Sequence, residues 1–239
     1  LAPAALALGA YGFLLKNLKR REGAAAVSEI RNPKDPLPLG NKPDPLDELI
    51  FIILTVMTQY GVDEAYANLS RRFPTWDALL RARQSTVTNI LQPIGLSAQR
   101  ARRIRAILRE IKRREGLVDL RRLHTLRDAD VEAYLVTLPG VGRKVARCVM
   151  LYSLQREVFP VDAHVLRVLK RLGLADSKLT LVASQDELQG RVPEILRYTL
   201  HVNLVVHGRT VCLARRPRCA DCVLNKRCPS ATNSSPAPV

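Results

Sequence analysis

No stretch of these 239 residues alternates apolar and polar side chains as a half-buried strand does, and no segment repeats another. Sheet architectures and repeat arrays are therefore not expected, and an all-α chain is. Acidic residues are in deficit, 22 Asp and Glu against 38 Lys and Arg, a net charge of +16. Histidine is sparse: four scattered residues, none paired with another at metal-ligand spacing. Long apolar runs are also missing. Residues 1–15 are apolar but too short to cross a bilayer and are interrupted by Pro3, Gly9 and Gly12. Their basic cluster (Lys16, Lys19, Arg20, Arg21) follows the apolar part, whereas a secretory signal carries its charges first. Leu1 stands where Met is expected, which suggests a trimmed or partial start. These absences lead to the expectation of a cytoplasmic protein with no membrane partner.

What is present is enough to fold and to bind. At 47% hydrophobic, the chain can bury a core as one large or two small domains. An Arg-rich positive surplus favours a polyanion gripped by guanidinium forks, with nucleic acid preferred over an anionic membrane surface because the basic residues are dispersed. Residues 31–45 carry five prolines and read as an extended connection after an N-terminal helical piece. Asp44 then caps and Pro45 starts a helix, with Asp47 in its first turn. It runs through Leu49, Ile50, Ile52, Ile53, Leu54 and Met57 and is apolar nearly all round, so it should be central. It should end near Thr58, Gln59, Tyr60 and Gly61. Short helices are expected at about 62–72, 76–82, 85–92, 98–114 and 129–137. Residues 100–114 set a basic face against Ile104, Ile107, Leu108 and Ile111. A last helix through Ile195, Tyr198, Val202, Val205 and Val206 should stop at Gly208. Residues 230–239 form a low-complexity tail, expected to be disordered.

The chemistry concentrates in residues 138–164. Gly140 and Gly142 after Pro139 allow a sharp turn into a helix start, and Asp128 can cap the helix before it, giving helix, hairpin, helix. Backbone N–H groups at such a turn attract a phosphate oxygen, and Arg143 and Arg147, one turn apart, should add cations on one exposed face. Lys144 shares a helical stripe with Val141, Cys148 and Leu151. Desolvation favours the free base of an amine, the form that attacks an electrophilic carbon to give a Schiff base. Asp162 precedes Val165, Leu166, Val168 and Leu169 as a helix N-cap that can also present a carboxylate. An ordinary tight turn, a snorkelling lysine and a plain cap remain open alternatives for the three features.

Four of the five cysteines, Cys212, Cys219, Cys222 and Cys228, follow the spacing C-x6-C-x2-C-x5-C. In a cytosolic chain this is a metal site, for zinc or an iron–sulfur cluster, and spacing alone does not choose between them. Cys148 is left over as a buried packing residue.

With both signals in place, the chain resembles the endonuclease III family of DNA repair glycosylases, in the helix-hairpin-helix superfamily. Leu138-Pro-Gly-Val-Gly-Arg-Lys144 is similar to the family hairpin with its lysine, Val161-Asp-Ala-His164 to its aspartate segment, and residues 207–228 to its cluster loop. The resemblance runs from about Pro45 to Cys228. It implies an all-α fold of two helical domains: a six-helix barrel with the hairpin at 44–156, and a cluster domain at 157–229 to which residues 1–43 contribute, with the active site in the cleft between them. It implies a four-iron, four-sulfur ([4Fe-4S]) cluster on Cys212, Cys219, Cys222 and Cys228. It also implies catalysis by Lys144 and Asp162, a backbone grip by Gly140, Val141, Gly142, Arg143 and Arg147, and insertion of Gln59 and Leu96 into DNA from which a nucleotide is flipped. The expected activity is a bifunctional DNA glycosylase and AP lyase, a monomer acting on double-stranded DNA to remove oxidised pyrimidines. The alternatives are a mismatch or uracil glycosylase, and a non-catalytic DNA-binding module with structural metal. The chain departs from the family after Gln59, where Tyr60, Gly61 and Val62 precede Asp63, and at Ser97, where an aromatic is common. An adenine glycosylase is disfavoured by Thr55 in place of a carboxylate and by the presence of Lys144.

Overall fold

In a computed structural model the described residues, 38–58 and 60–231, form ten α-helices joined by turns and short 3-10 segments, with no strand among them. The all-α expectation holds. Gln59 lies outside the described residues, as do the expected N-terminal helical piece, most of the proline-rich connection and the tail beyond residue 231. The chain divides into two compact units, one of residues 39–156 and one that takes in the chain from residue 157.

The first unit is built on α1 (Pro45–Thr55), for the reasons its sequence gives. Asp44 accepts the N–H groups of Leu46 (2.9 Å) and Asp47 (3.1 Å), a cap that stabilises such a helix by about 1 kcal/mol. Leu49 through Leu54 are all buried, which requires neighbours on every side. These are α2 (Val62–Arg72), α5 (Ser97–Glu115), α7 (Arg143–Tyr152) and the 3-10 segment Arg121–Thr125. Helices α3 (Trp76–Arg81) and α4 (Gln84–Leu91) cover α5, and α6 (Asp128–Val136) packs on α7. On α5 the stripe Ala101, Ile104, Ile107, Leu108 and Ile111 is buried, while Arg102, Arg109 and Arg113 face water.

Arg100 departs from the basic face expected for residues 100–114: it is buried among backbone carbonyls. Asp128 is the first residue of α6 and not its cap, since Arg127 occupies that position without a side-chain capping bond.

The unit from residue 157 contains α8 (Ala163–Arg171), α9 (Ser184–Arg191) and α10 (Glu194–Thr210), followed by the cysteine segment with a 3-10 turn at Asn225–Arg227. Helices α8 and α10 pack together. Gly208 does not stop α10, which continues to Thr210. It is a close-approach point instead, because a Cβ there would meet the Cβ of His164 at 2.8 Å. Periodicity cannot distinguish a terminating glycine from one required by a crossing helix.

Candidate functional site

The hairpin closes with the Val141 N–H donating to Leu138 O at 3.0 Å. Its two glycines serve different ends. Gly140 has φ 72°, and a Cβ on it would meet Arg103 Nε at 2.7 Å, so both conformation and space demand glycine. Gly142 is extended (φ −94°, ψ 172°), so the left-handed residue of the turn is Gly140. A Cβ on it would find nothing within 4 Å. No side chain caps the start of α7, so the N-terminal N–H groups of this helix present the positive end of its dipole at an exposed turn.

Arg143 and Arg147 do not share an exposed face. Arg143 is exposed and within 3.3 Å of Glu132 Oε1, whereas Arg147 is buried and donates to both oxygens of Glu132 (3.0 and 3.3 Å). The helical face that holds Arg147 turns toward α6, so this cation ties the two hairpin helices together. Arg103, absent from the expected site, brings its guanidinium from α5 against Gly140 instead. Its position was not legible because it belongs to a run of arginines that differ only in helical phase.

Lys144 is half-buried on the first turn of α7, with Val141, Cys148 and Leu151 of its stripe buried. Packed on α7 is α1, whose Glu48 is fully buried and feels the lysine's charge. Sequence reading missed Glu48, although a carboxylate inside an apolar helix was the signal.

At the other end of α1, Met57 takes a left-handed conformation (φ 63°) and is 86% exposed, as is Tyr60. Leu96 is also left-handed (φ 48°, ψ 28°) and 53% exposed at the start of α5. Arg100 joins the two places. Its guanidinium donates to Ile53 O (3.1 Å), Leu54 O (2.7 Å), Gly95 O (2.9 Å) and Ile94 O (3.4 Å), closing the C-terminal carbonyls of α1 onto the turn that carries Leu96. A non-glycine residue on a left-handed backbone costs about 1 kcal/mol or more.

In the second unit Asp162 caps α8, its Oδ1 accepting the Val165 N–H at 2.8 Å. The approach to it is fixed by amide side chains of α9. Gln189 accepts from Phe159 N (2.6 Å), while Gln185 accepts from Val161 N (3.3 Å) and donates to Val161 O (2.7 Å). Burial pushes the neighbouring His164 imidazole down.

The same helix holds the cysteine segment. Arg167 donates to Gly208 O (2.8 Å) and Cys212 O (3.0 Å), and Arg171 to Leu213 O (2.7 Å) and Cys212 Sγ (3.2 Å). Cys212, Cys219, Cys222 and Cys228 line one cavity with Val168, His207 and Leu224, and none forms a disulfide. Burial pushes the Cys222 thiol up; an N–H from Leu224 opposes this, and the charges of Cys212, Cys228 and Cys219 push further in the same direction. Four cysteine sulfurs lining one half-buried pocket fit a cationic group that would bind them as thiolates. Among the described residues, no three His, Cys, Asp or Glu side chains are gathered around a single-ion position. No helix among them is long and apolar enough to cross a membrane.

A family model described as the HhH-GPD superfamily of base excision DNA repair proteins matches residues 52–194. The chain is 31% identical over 192 residues to a protein of Arabidopsis thaliana whose name proposes a DNA glycosylase, covering 80% of this chain and 63% of that protein. It is 30% identical over 210 residues to endonuclease III of Treponema pallidum, covering 87% of this chain and 95% of the relative. A solved endonuclease III, in non-covalent complex with DNA, superposes with a TM-score of 0.74 at 23% identity over 93% of this chain and 95% of that one, which shows a common fold. The chain therefore belongs to the endonuclease III family within the HhH-GPD superfamily, as a base excision repair DNA glycosylase.

Proposed function

We propose that the protein is a bifunctional DNA glycosylase and AP lyase that binds double-stranded DNA and removes oxidised pyrimidines. The observation that carries this reading is Lys144, a half-buried amine on an apolar stripe in the first turn of α7, directly after a hairpin that leads into a helix start without a side-chain cap. The hairpin N–H groups and Arg143 hold a backbone phosphate, and the open space at Gly142 lets that phosphate approach. The flipped nucleotide is replaced in the stack by Leu96, for which the exposed left-handed backbone prepares it. Gln59, outside the described residues, retains the same assignment by resemblance.

Lys144 as free amine attacks C1′ and the base leaves, while the Asp162 carboxylate stabilises the positive charge that develops on the sugar. The resulting imine acidifies the C2′ proton, and its loss expels the 3′ phosphate by β-elimination. Cys212, Cys219, Cys222 and Cys228 would hold the [4Fe-4S] cluster, which would supply a structural cross-link and offset part of the charge of the four thiolates. Complexes of endonuclease III with DNA among the structural neighbours support a DNA partner.

Borohydride reduction tests the reading: wild-type protein should be trapped covalently on lesion-bearing duplex and Lys144→Gln should not. Trapping of that variant at wild-type yield would remove the lysine from the reaction. Asp162→Asn keeps a capping oxygen but loses the charge, so it should fold while turnover falls by roughly two powers of ten or more. Normal turnover would reduce Asp162 to its cap.

A further inference from the structure

The start of α1, the later turns of α2 and the start of α3 frame a recess of about 530 Å³ that the chemistry above does not use. Much of its wall is aromatic or apolar: Tyr66 of α2, Phe73 just beyond it, Trp76 of α3, and Leu46 with Val118. The Tyr66 and Trp76 ring centroids are 6.1 Å apart, with the planes tilted at 58°. Asp44 and Asp47, one helical turn apart, line the same recess, and Asp119 and Arg121 complete its charged residues.

These charges are not all balanced. Arg121 is spent on Asp119, to which its Nε donates at 2.6 Å. Asp44 Oδ1 accepts the Leu46 and Asp47 N–H groups, and Asp47 Oδ1 accepts the Trp76 indole N–H at 2.6 Å. Those donors are neutral, and neither Asp44 nor Asp47 stands in an ion pair among the described residues. The Lys42 ammonium is placed over rings instead, 4.5 Å from the Phe51 centroid and 4.7 Å from that of Tyr66. Burial pushes the Asp47 carboxyl up; the Trp76 N–H opposes this, and the Asp44 charge adds to it. Two neighbouring carboxylates beside aromatic faces, in a chain of net charge +16, are the complement of a cation with an apolar stem. The carboxylates would accept its N–H groups, the ring faces would attract its charge, and the apolar wall would cover its carbons.

We propose that this recess binds an alkylammonium chain, with its N–H groups on Asp44 and Asp47 and its methylenes against Tyr66 and Trp76. Side chains one helical turn apart are about 5–6 Å from each other, the reach of two ammonium groups joined by a short alkyl linker, so a polyamine suits the pair of acids. DNA is not the occupant, because carboxylates repel phosphate. The recess also lies at the opposite end of α1 from the carbonyls that Arg100 holds, roughly 15 Å along the helix. A ligand there leaves the hairpin and the Leu96 turn free, and its binding does not depend on the role of Lys144.

Trp76 is the only tryptophan of the chain, so its emission reports on the recess directly. Spermidine titrated into the full chain at fixed ionic strength should change that emission along a saturable curve, and magnesium chloride should not. Asp44→Asn combined with Asp47→Asn keeps an acceptor for the α1 cap and for the Trp76 N–H while removing both charges. The double variant should melt close to wild type and bind spermidine about tenfold more weakly or worse. If it does not fold, Asp47→Asn alone gives the same comparison. Nα-acetyllysine amide, which carries one ammonium on the same kind of stem, separates two sources of the ligand. Tighter binding of spermidine supports a free polyamine, and tighter binding of the lysine amide supports the same site with a partner's lysine side chain in it. No saturable response to either, a response that magnesium reproduces, or wild-type affinity in the folded variant would overturn the proposal.

Discussion

At the scale of single residues, the two hairpin glycines should respond in opposite ways to the same substitution. Gly140→Ala places a Cβ on a left-handed backbone and into Arg103, so it should cost about 1–2 kcal/mol of stability, seen as a lower thermal midpoint. Gly142→Ala meets neither obstacle and should fold like wild type, yet its methyl occupies the space through which a phosphate would approach. It should weaken binding to DNA by several-fold with no loss of stability, measured by titration of a labelled duplex. Equal stability losses in both variants would make the hairpin an ordinary tight turn. Leu96 allows a similar contrast. Being half exposed, Leu96→Ala should leave stability within about 0.5 kcal/mol of wild type. It should lose most activity on duplex lesions and much less on a single-stranded abasic site, where nothing must be unstacked. Equal losses on both substrates would end its assignment as a wedge.

At the scale of elements, α8 does two things at once. Its first residue follows the Asp162 cap, and its last turn donates from Arg171 to the cysteine segment. Anything that loosens that segment should therefore be felt at Asp162. If the cysteine segment holds the proposed cluster, removing iron and sulfide from the purified protein should lower the melting temperature, and hydrogen exchange should rise in α8 and residues 211–231 while α1 stays protected. Unchanged exchange in α8 would show that its arginines hold without the cluster. The helices themselves were largely legible. Segments expected at about 62–72 and 98–114 are Val62–Arg72 and Ser97–Glu115, because a regular apolar stripe bounded by proline or glycine leaves little choice. Tertiary partners were the illegible part. Arg100 and Arg147 read as surface cations, yet both are buried, one by the open carbonyls of α1 and the other by Glu132. Gly208 read as a stop and is a crossing point with His164. Helical phase says that a side chain points inward, and only the packed neighbour says what meets it.

For the whole molecule, the net charge of +16 becomes informative once spent charges are separated from available ones. Arg81, Arg113, Arg114, Arg121, Arg122, Arg127 and Arg191 stand in ion pairs with acids near them, so much of the surplus is already neutralised locally. In the cysteine segment the balance differs: Arg215, Arg216 and Arg218 are exposed within a few residues of one another. If this segment lies on DNA, each of these arginines that meets a phosphate displaces a counterion, and binding must weaken linearly in the logarithm of salt concentration. A protein with roughly six such contacts would lose about 10³ in affinity between 50 and 200 mM salt. Replacing Arg215, Arg216 and Arg218 together by alanine should reduce the salt slope by up to about three and weaken binding to all sequences alike. Iron content should stay unchanged, which separates lost phosphate contacts from a lost cluster. Arg127→Ala serves as the control, since its charge is spent on Asp130, and should leave the slope within about half a unit of wild type. If the triple variant and the control give the same slope, the cysteine segment does not lie on the nucleic acid.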